Sequence, residues 1–202
     1  MPGPVFLRGD GVTLRPVEES DYEFLQRHAN NPAVRSGFGG GAPTSADDVA
    51  DRIEEVTESD DSETFLVCAA GGNDSESVQR VGEAFCFDLY ERRGSVEIGY
   101  WIAPDHQGNG YATAAAELLV EYCFAERRLR KVDARVLAFN DGSRRVLEKV
   151  GFEPEGRRRD EYYVDGEYVD AELYGLVADD WDGPRDDASD ADRGAESNGG
   201  DR

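Results

Sequence analysis

Trp101-Ile102-Ala103-Pro104-Asp105-His106-Gln107-Gly108-Asn109-Gly110-Tyr111-Ala112-Thr113 carries an apolar strand through a glycine turn into a helix of small residues. Pro104 ends the strand, because it has no N–H to give to a ladder. Gly108 and Gly110 flank Asn109 and admit backbone conformations closed to larger residues. The helix predicted to follow spans 108–127, with Ala112, Ala115, Ala116, Leu119 and Tyr122 at helical spacing. The first turn of a helix leaves its N–H groups without intrahelical partners, and the dipole adds positive potential at the same spot. Such a turn suits an anion, most naturally a phosphate or pyrophosphate. It is not the dinucleotide fingerprint, since Thr113 stands where GxGxxG needs its third glycine, and no Gly-Lys-Ser/Thr follows to make a P-loop. On the glycines alone, a purely structural strand-to-helix turn is an equal reading.

Outward from this turn the pattern is one of short strands. Upstream, 64–70, 80–89 and 95–103 read as three strands joined by polar turns at 71–77 and 92–94, an antiparallel meander. Downstream, 131–139 reads as a strand, so strand, helix and strand from Ser95 to Phe139 form a parallel crossover. A short helix over 143–150 closes on Gly151, and 152–177 reads as two strands hinged at Asp165-Gly166. Before the meander, 12–17 alternates as a strand, and Ser20 starts a helix that Asn31-Pro32 stops. A glycine-rich loop covers 36–43, and Thr44 or Ser45 caps a helix to Glu58 with Val49, Ile53 and Val56 on one face. The expected class is α/β: a mixed, mostly antiparallel central sheet of about seven strands, flanking helices and one parallel βαβ crossover. One domain is expected over residues 5–178, followed at 179–202 by an acidic, disordered tail.

The net charge is −22, and residues 182–202 hold only seven acids against three arginines, so −18 falls on residues 1–181. Lys131 and Lys149 are the only lysines, beside 20 arginines. A lysine-poor, globally acidic surface fits a protein adapted to high salt, which screens self-repulsion. It disfavours nucleic-acid partners, which need a basic face. No run of about 18 apolar residues is present and the N-terminus does not read as a secretion signal, so a cytoplasmic protein without membrane contact is expected. Cys68, Cys86 and Cys123 sit in apolar stretches without CxxC spacing and read as reduced core thiols. With His28 and His106 as the only histidines, no metal site is expected.

Two further segments add to the turn. Upstream stands Gly94-Ser95-Val96-Glu97-Ile98-Gly99-Tyr100-Trp101-Ile102; downstream stands Asn140-Asp141-Gly142-Ser143, running on to Gly151-Phe152. In this order and spacing the three resemble the GNAT superfamily of acetyltransferases, and within it the RimJ/RimL-type protein N-acetyltransferases. Gln107-Gly108-Asn109-Gly110-Tyr111-Ala112 resembles the acetyl-CoA motif of that family, and Val12-Thr13-Leu14-Arg15-Pro16 its opening strand. The resemblance spans residues 10–177 and is specific for the superfamily rather than for an acceptor.

The resemblance implies acetyl-CoA as co-substrate and direct attack of a primary amine on the thioester in a ternary complex. It implies that Gln107, Gly108, Asn109, Gly110, Tyr111, Ala112 and Thr113 cradle the pyrophosphate. Trp101 and Ile102 would offer main-chain groups to the pantetheine arm, left free where a parallel strand pair splays. Asn140 and Ser143 would meet the same arm; the structural alternatives are a turn residue and a helix cap. A protonated amine needs a base, and Glu97, opposite Val96 and Ile98 on the strand before the turn, is the candidate, with Glu83 second. A plain solvent-facing acid is the alternative for Glu97. Many family members carry a tyrosine four residues before the Gly-Phe pair, as proton donor to the leaving thiolate; here Leu147 stands there, leaving Ser143 as the hydroxyl of the segment. Tyr162, Tyr163 and Tyr168 could line the acceptor cleft, although paired aromatics in a hairpin more often pack across strands. The expected acceptor is a protein N-terminus of ribosomal-protein type. A polyamine or other small amine is the alternative, and a non-catalytic acyl-CoA sensor is the rival from another class. The oligomeric state, monomer or dimer, is open.

Overall fold

The computed structural model describes residues 2–69 and 78–184. The expected turn at 71–77 and the tail from 185 onward lie outside them. Eight strands form one sheet: β1 (Leu7–Arg8), β2 (Val12–Pro16), β3 (Glu63–Ala69), β4 (Gln79–Tyr90), β5 (Ser95–Ile102), β6 (Lys131–Leu137), β7 (Glu153–Val164) and β8 (Glu167–Val177). Their order is β1-β2-β3-β4-β5-β6-β8-β7. Every neighbouring pair is antiparallel except β5 and β6. The strand beyond the expected seven is β1, two residues pairing with Thr13 and Leu14, too short to leave a periodic signal.

Helices cover both faces. On one lie α1 (Tyr22–Ala29) and α3 (Ala46–Glu58), with the four-residue α2 (Pro32–Arg35) between them in sequence. Leu25, Val49 and Ile53 pack there on Leu66 and Cys68 of β3. Ser45 starts α3 through a capping box: its Oγ accepts from Asp48 N–H at 3.1 Å, and Asp48 answers to Ser45 N–H at 2.6 Å. Asp21, fully buried at the start of α1, binds Arg80 Nε of β4 at 2.6 Å and so fastens the helix to the sheet.

On the other face α4 (Tyr111–Glu121) makes the crossover from β5 to β6, and α5 (Asp141–Val150) lies beside it. Ala115, Ala116 and Leu119 of α4 are fully buried, and Leu147 and Val150 of α5 join the same core. The small residues bring α4 close to the strands. The expected helix over 108–127 begins instead at Tyr111, and its last turn, Tyr122–Glu126, is a π turn.

Cys86 and Cys123, apart in sequence, meet in this core with sulfurs 3.8 Å apart. All three cysteines are free and buried. Burial pushes the Cys68 thiol up to about 11, which leaves it unreactive. At the C-terminal end, Ala178–Asp180 form a 3-10 turn and Trp181 packs on Phe124, so folded chain continues past the expected boundary at 178. Among the described residues no helix is long and apolar enough to cross a membrane, and no group of three or more His, Cys, Asp or Glu could hold a metal.

Candidate active site

The site begins where two strands part. β5 and β6 pair from Ser95↔Lys131 to Ile98↔Ala134 and no further. Beyond that point β5 stays paired with β4 as far as Ile102, and β6 stays paired with β8 as far as Leu137. The wedge between them leaves the main-chain groups that β5 turns toward β6 over Gly99–Ile102 without a strand partner. Gly99 is required there: a Cβ on it would lie 2.3 Å from the ring of Phe85. A cavity of about 740 Å³ fills the wedge, with Gly99, Tyr100, Trp101 and Ile102 on one side and Ala134, Arg135 and Val136 on the other.

The glycine turn forms one end of this cavity. Gly108 and Gly110 both hold φ +80°, and a Cβ on either would meet nothing within 4 Å. The positive φ explains why α4 starts only at Tyr111. Gly110 is its N-cap and provides no side-chain cap, and the bond from Ala114 N–H to Gly110 O is the first of the helix. The helix therefore leaves the N–H groups of Tyr111, Ala112 and Thr113 unspent, and all three residues line the cavity together with Gly108. Space, main-chain donors and dipole coincide, which fits a diphosphate.

The polar side chains of the turn have a different use. Gln107 Nε2 donates to Ile102 O at 3.0 Å, and Asn109 Nδ2 donates to His106 O at 3.0 Å and Gln107 O at 3.3 Å. These bonds hold the loop in shape. Gln107 still borders the cavity, whereas Asn109 stands outside its lining and braces the turn from behind.

The wall opposite the glycine turn is the start of α5. Asn140 Oδ1 accepts Ser143 N–H at 3.1 Å, so Asn140 is the cap and Ser143 is not. The serine hydroxyl instead meets Tyr100, whose hydroxyl lies 3.1 Å from Ser143 Oγ and donates to Ser143 O at 3.3 Å. Asn140, Ser143 and Tyr100 all line the cavity. Burial raises the Tyr100 phenol well above its ordinary value, against the lowering effect of the Ser143 hydrogen bond. Leu147, one turn along the helix, is 1% exposed and offers no polar atom.

The two candidate bases differ in their surroundings. Glu83, 4% exposed, accepts from Thr64 Oγ1 and Trp101 Nε1, each at 2.9 Å, and pairs with Arg52 at 2.8 Å. Its oxygens are thus committed to structure. Glu97 sits at the last paired rungs of β5 and β6 and takes one hydrogen bond, from Arg135 Nη2 at 3.0 Å. Burial raises its carboxyl above the ordinary range, and Arg135 pulls it back in part. Glu97 stands just outside the cavity lining, and Arg135 stands within it.

Arg135 was not anticipated from sequence. It also donates to Tyr162 Oη at 3.2 Å, which draws that tyrosine to the mouth of the wedge. Tyr163 and Tyr168 are register partners near the hairpin tip, with rings 5.1 Å apart and exposures of 60% and 67%. They are a cross-strand pair and do not line this cavity. From sequence the Tyr100 side chain has no assigned role, although it lies on the strand assigned to the pantetheine arm. Period two from Ile98 and Ile102, which point into the α4 core, is the signal that places its side chain on the α5 side.

Comparison with known proteins agrees with this geometry. The family model for the acetyltransferase (GNAT) domain matches residues 12–153. Bacillus subtilis YdaF, which carries the name "Putative ribosomal N-acetyltransferase", is 42% identical over 89 residues, 44% of this chain and 49% of that protein. The chain thus spans about half the length of that relative. The spermidine N(1)-acetyltransferase of Escherichia coli K12 is 28% identical over 160 residues, 79% of this chain and 82% of that one. Among solved structures, Mycobacterium smegmatis RimJ in complex with CoA-disulfide superposes with a TM-score of 0.73 at 26% identity, covering 88% of this chain and 87% of that one.

Proposed function

Because the chain belongs to the GNAT family of acetyl-CoA-dependent N-acetyltransferases, we propose that the amine it acetylates is a protein N-terminus of ribosomal-protein type. The observation that carries acetyl transfer is the meeting on one cavity of two sets of main-chain groups without backbone partners, the uncapped start of α4 and the β6-facing edge of β5. The N-terminal acceptor is supported by the 42% identity to YdaF and by the likeness to RimJ.

In this reading the N–H groups of Tyr111, Ala112 and Thr113, with those of Gly108 and Gly110, hold the diphosphate of acetyl-CoA. Gln107 and Asn109 keep the turn in the shape this needs. The edge of β5 at Trp101 and Ile102 takes the pantetheine arm, and Asn140 and Ser143 close the wall opposite. The thioester supplies an activated carbonyl. Glu97 takes a proton from the amine, directly or through water, once Arg135 yields one of its bonds. The amine lone pair then forms the C–N bond as the C–S pair passes to sulfur. Most of the acceleration comes from holding the partners in line at the wedge.

Polyamine acetylation is the second reading, favoured by the 28% identity to the spermidine enzyme and by the net charge of −22. A panel of peptides bearing ribosomal-protein N-termini, set against spermidine and spermine, separates the two. Release of free coenzyme A and the mass of the product are the readouts. Acetylated peptide with spermidine left intact is expected, and the reverse result assigns the polyamine.

A further inference from the structure

Charge around the cavity runs against the charge of the chain. The net charge is −22, yet Asp141 is the only acidic side chain in the lining, against Arg135, Arg145 and Lys149. Asp141 is held by Arg144, and Arg135 is engaged with Glu97 and Tyr162. Arg145 and Lys149 have no ion-pair or hydrogen-bond partner among the described residues. Lys131, the other lysine of the chain, is by contrast bound by both Asp133 and Glu155. We propose that Arg145 and Lys149 form a subsite for the phosphate monoester on the ribose of coenzyme A, the 3′-phosphate. The proposal rests on the acetyltransferase reading and deepens it.

The two cations stand one helical turn apart on an exposed flank of α5. Glu148, between them in sequence, does not line the cavity. Like charges at i and i+4 repel, and the chain has 44 acids from which a partner could have been drawn. The helix dipole accounts for Lys149, in the last turn, but not for Arg145. A bound anion removes the repulsion. The partner it fits is at hand, because α5 packs beside α4, whose uncapped first turn lies at the other end of the same cavity. Main-chain N–H groups there serve the diphosphate. Coenzyme A carries its third phosphate one ribose away, as a terminal group close to a dianion at neutral pH. Full cations suit such a group: an arginine can grip two of its oxygens side by side, and a lysine meets it as a point charge.

Calorimetry of coenzyme A against 3′-dephospho-coenzyme A, which keeps the diphosphate and the pantetheine arm, tests this. The parent is expected to bind coenzyme A about tenfold more tightly at roughly 0.1 M ionic strength, with the preference shrinking toward molar salt. Arg145→Gln combined with Lys149→Gln should bind the two ligands alike, while Lys149→Arg alone should keep the preference. Should the double variant lose its fold, either single change to Gln takes its place, with the preference cut to about threefold. Arg92→Gln combined with Arg93→Gln removes the same charge from the turn between β4 and β5, at the end of β5 away from the cavity, and should leave the preference intact. Equal affinity of the parent for both ligands overturns the proposal. A preference that survives without Arg145 and Lys149 overturns it, because the phosphate is then held elsewhere. A preference lost as fully without Arg92 and Arg93 overturns it too, because only the overall field then acts. In each of these results coenzyme A still binds, whereas a parent that binds neither ligand and releases no coenzyme A from acetyl-CoA refutes the acetyltransferase reading and the proposal with it.

Discussion

Glu97 holds its carboxyl between two opposed influences, burial that raises its pKa and the guanidinium of Arg135 that lowers it, with burial the larger. A base must be ionised to act. The acid limb of kcat/KM should therefore lie above the ordinary carboxylate value of about 4.3, with the rate falling as pH drops through it. Glu97→Gln should remove that limb and cost about a hundredfold in kcat near neutral pH while leaving coenzyme A affinity intact. Arg135→Gln should move the limb to higher pH, because the lowering influence is gone; steady-state pH profiles decide both. Unchanged turnover in Glu97→Gln removes it as base. Glu97 is legible in the sequence as an acid at the polar phase of an apolar strand, but its partner is not. Arg135 reaches it only because Glu97 faces Asp133 in the parallel register, which a strand-by-strand reading does not fix. For the same reason Tyr100 and Ser143, 43 residues apart, become neighbours only once the crossover is closed. Ser143 is legible in the sequence as a cap and Asn140 as a turn residue, whereas Asn140 is the cap, its Oδ1 accepting the Ser143 N–H.

Whole elements are held by a few identifiable contacts. Gly110→Trp puts a large side chain at φ +80°, facing the space where the diphosphate is expected. It should abolish coenzyme A binding measured by calorimetry, while costing the fold only about 1–2 kcal/mol of backbone strain. Undiminished affinity would contradict the cradle. Asp21→Ala strips Arg80 of a fully buried partner and frees the start of α1 from β4, and should lower stability by about 3 kcal/mol in chemical denaturation. Loss of the α3 cap in Ser45→Ala should cost about 1 kcal/mol by the same measurement. The meander, the crossover, the α3 cap and the Asp165-Gly166 hairpin are legible because each rests on a local period or a turn dipeptide. The start of α4 was misplaced by three residues because glycines in sequence do not declare the sign of φ. The strand β1 escaped because two residues carry no period.

At the scale of the molecule, a net charge of −22 on a 202-residue chain is self-repelling, and ion pairs such as Arg52–Glu83 and Arg135–Glu97 are already counted in that balance. Added salt should screen this repulsion, so Tm should rise by several degrees between low and molar ionic strength. A Tm that is highest in salt-free buffer would dissociate the acidity from any adaptation to salt. The parting of β5 from β6 has its own consequence for this balance. A sheet interrupted at its centre lacks ladder bonds on the β6 side of Gly99–Ile102, and a bound pantetheine arm would act as a substitute strand. Deuterium uptake should reveal it. Amides at the exposed edge of 99–102 should become protected on addition of coenzyme A, while those of 95–98, already laced to β6, should exchange as before, so that the ligand completes the sheet it binds.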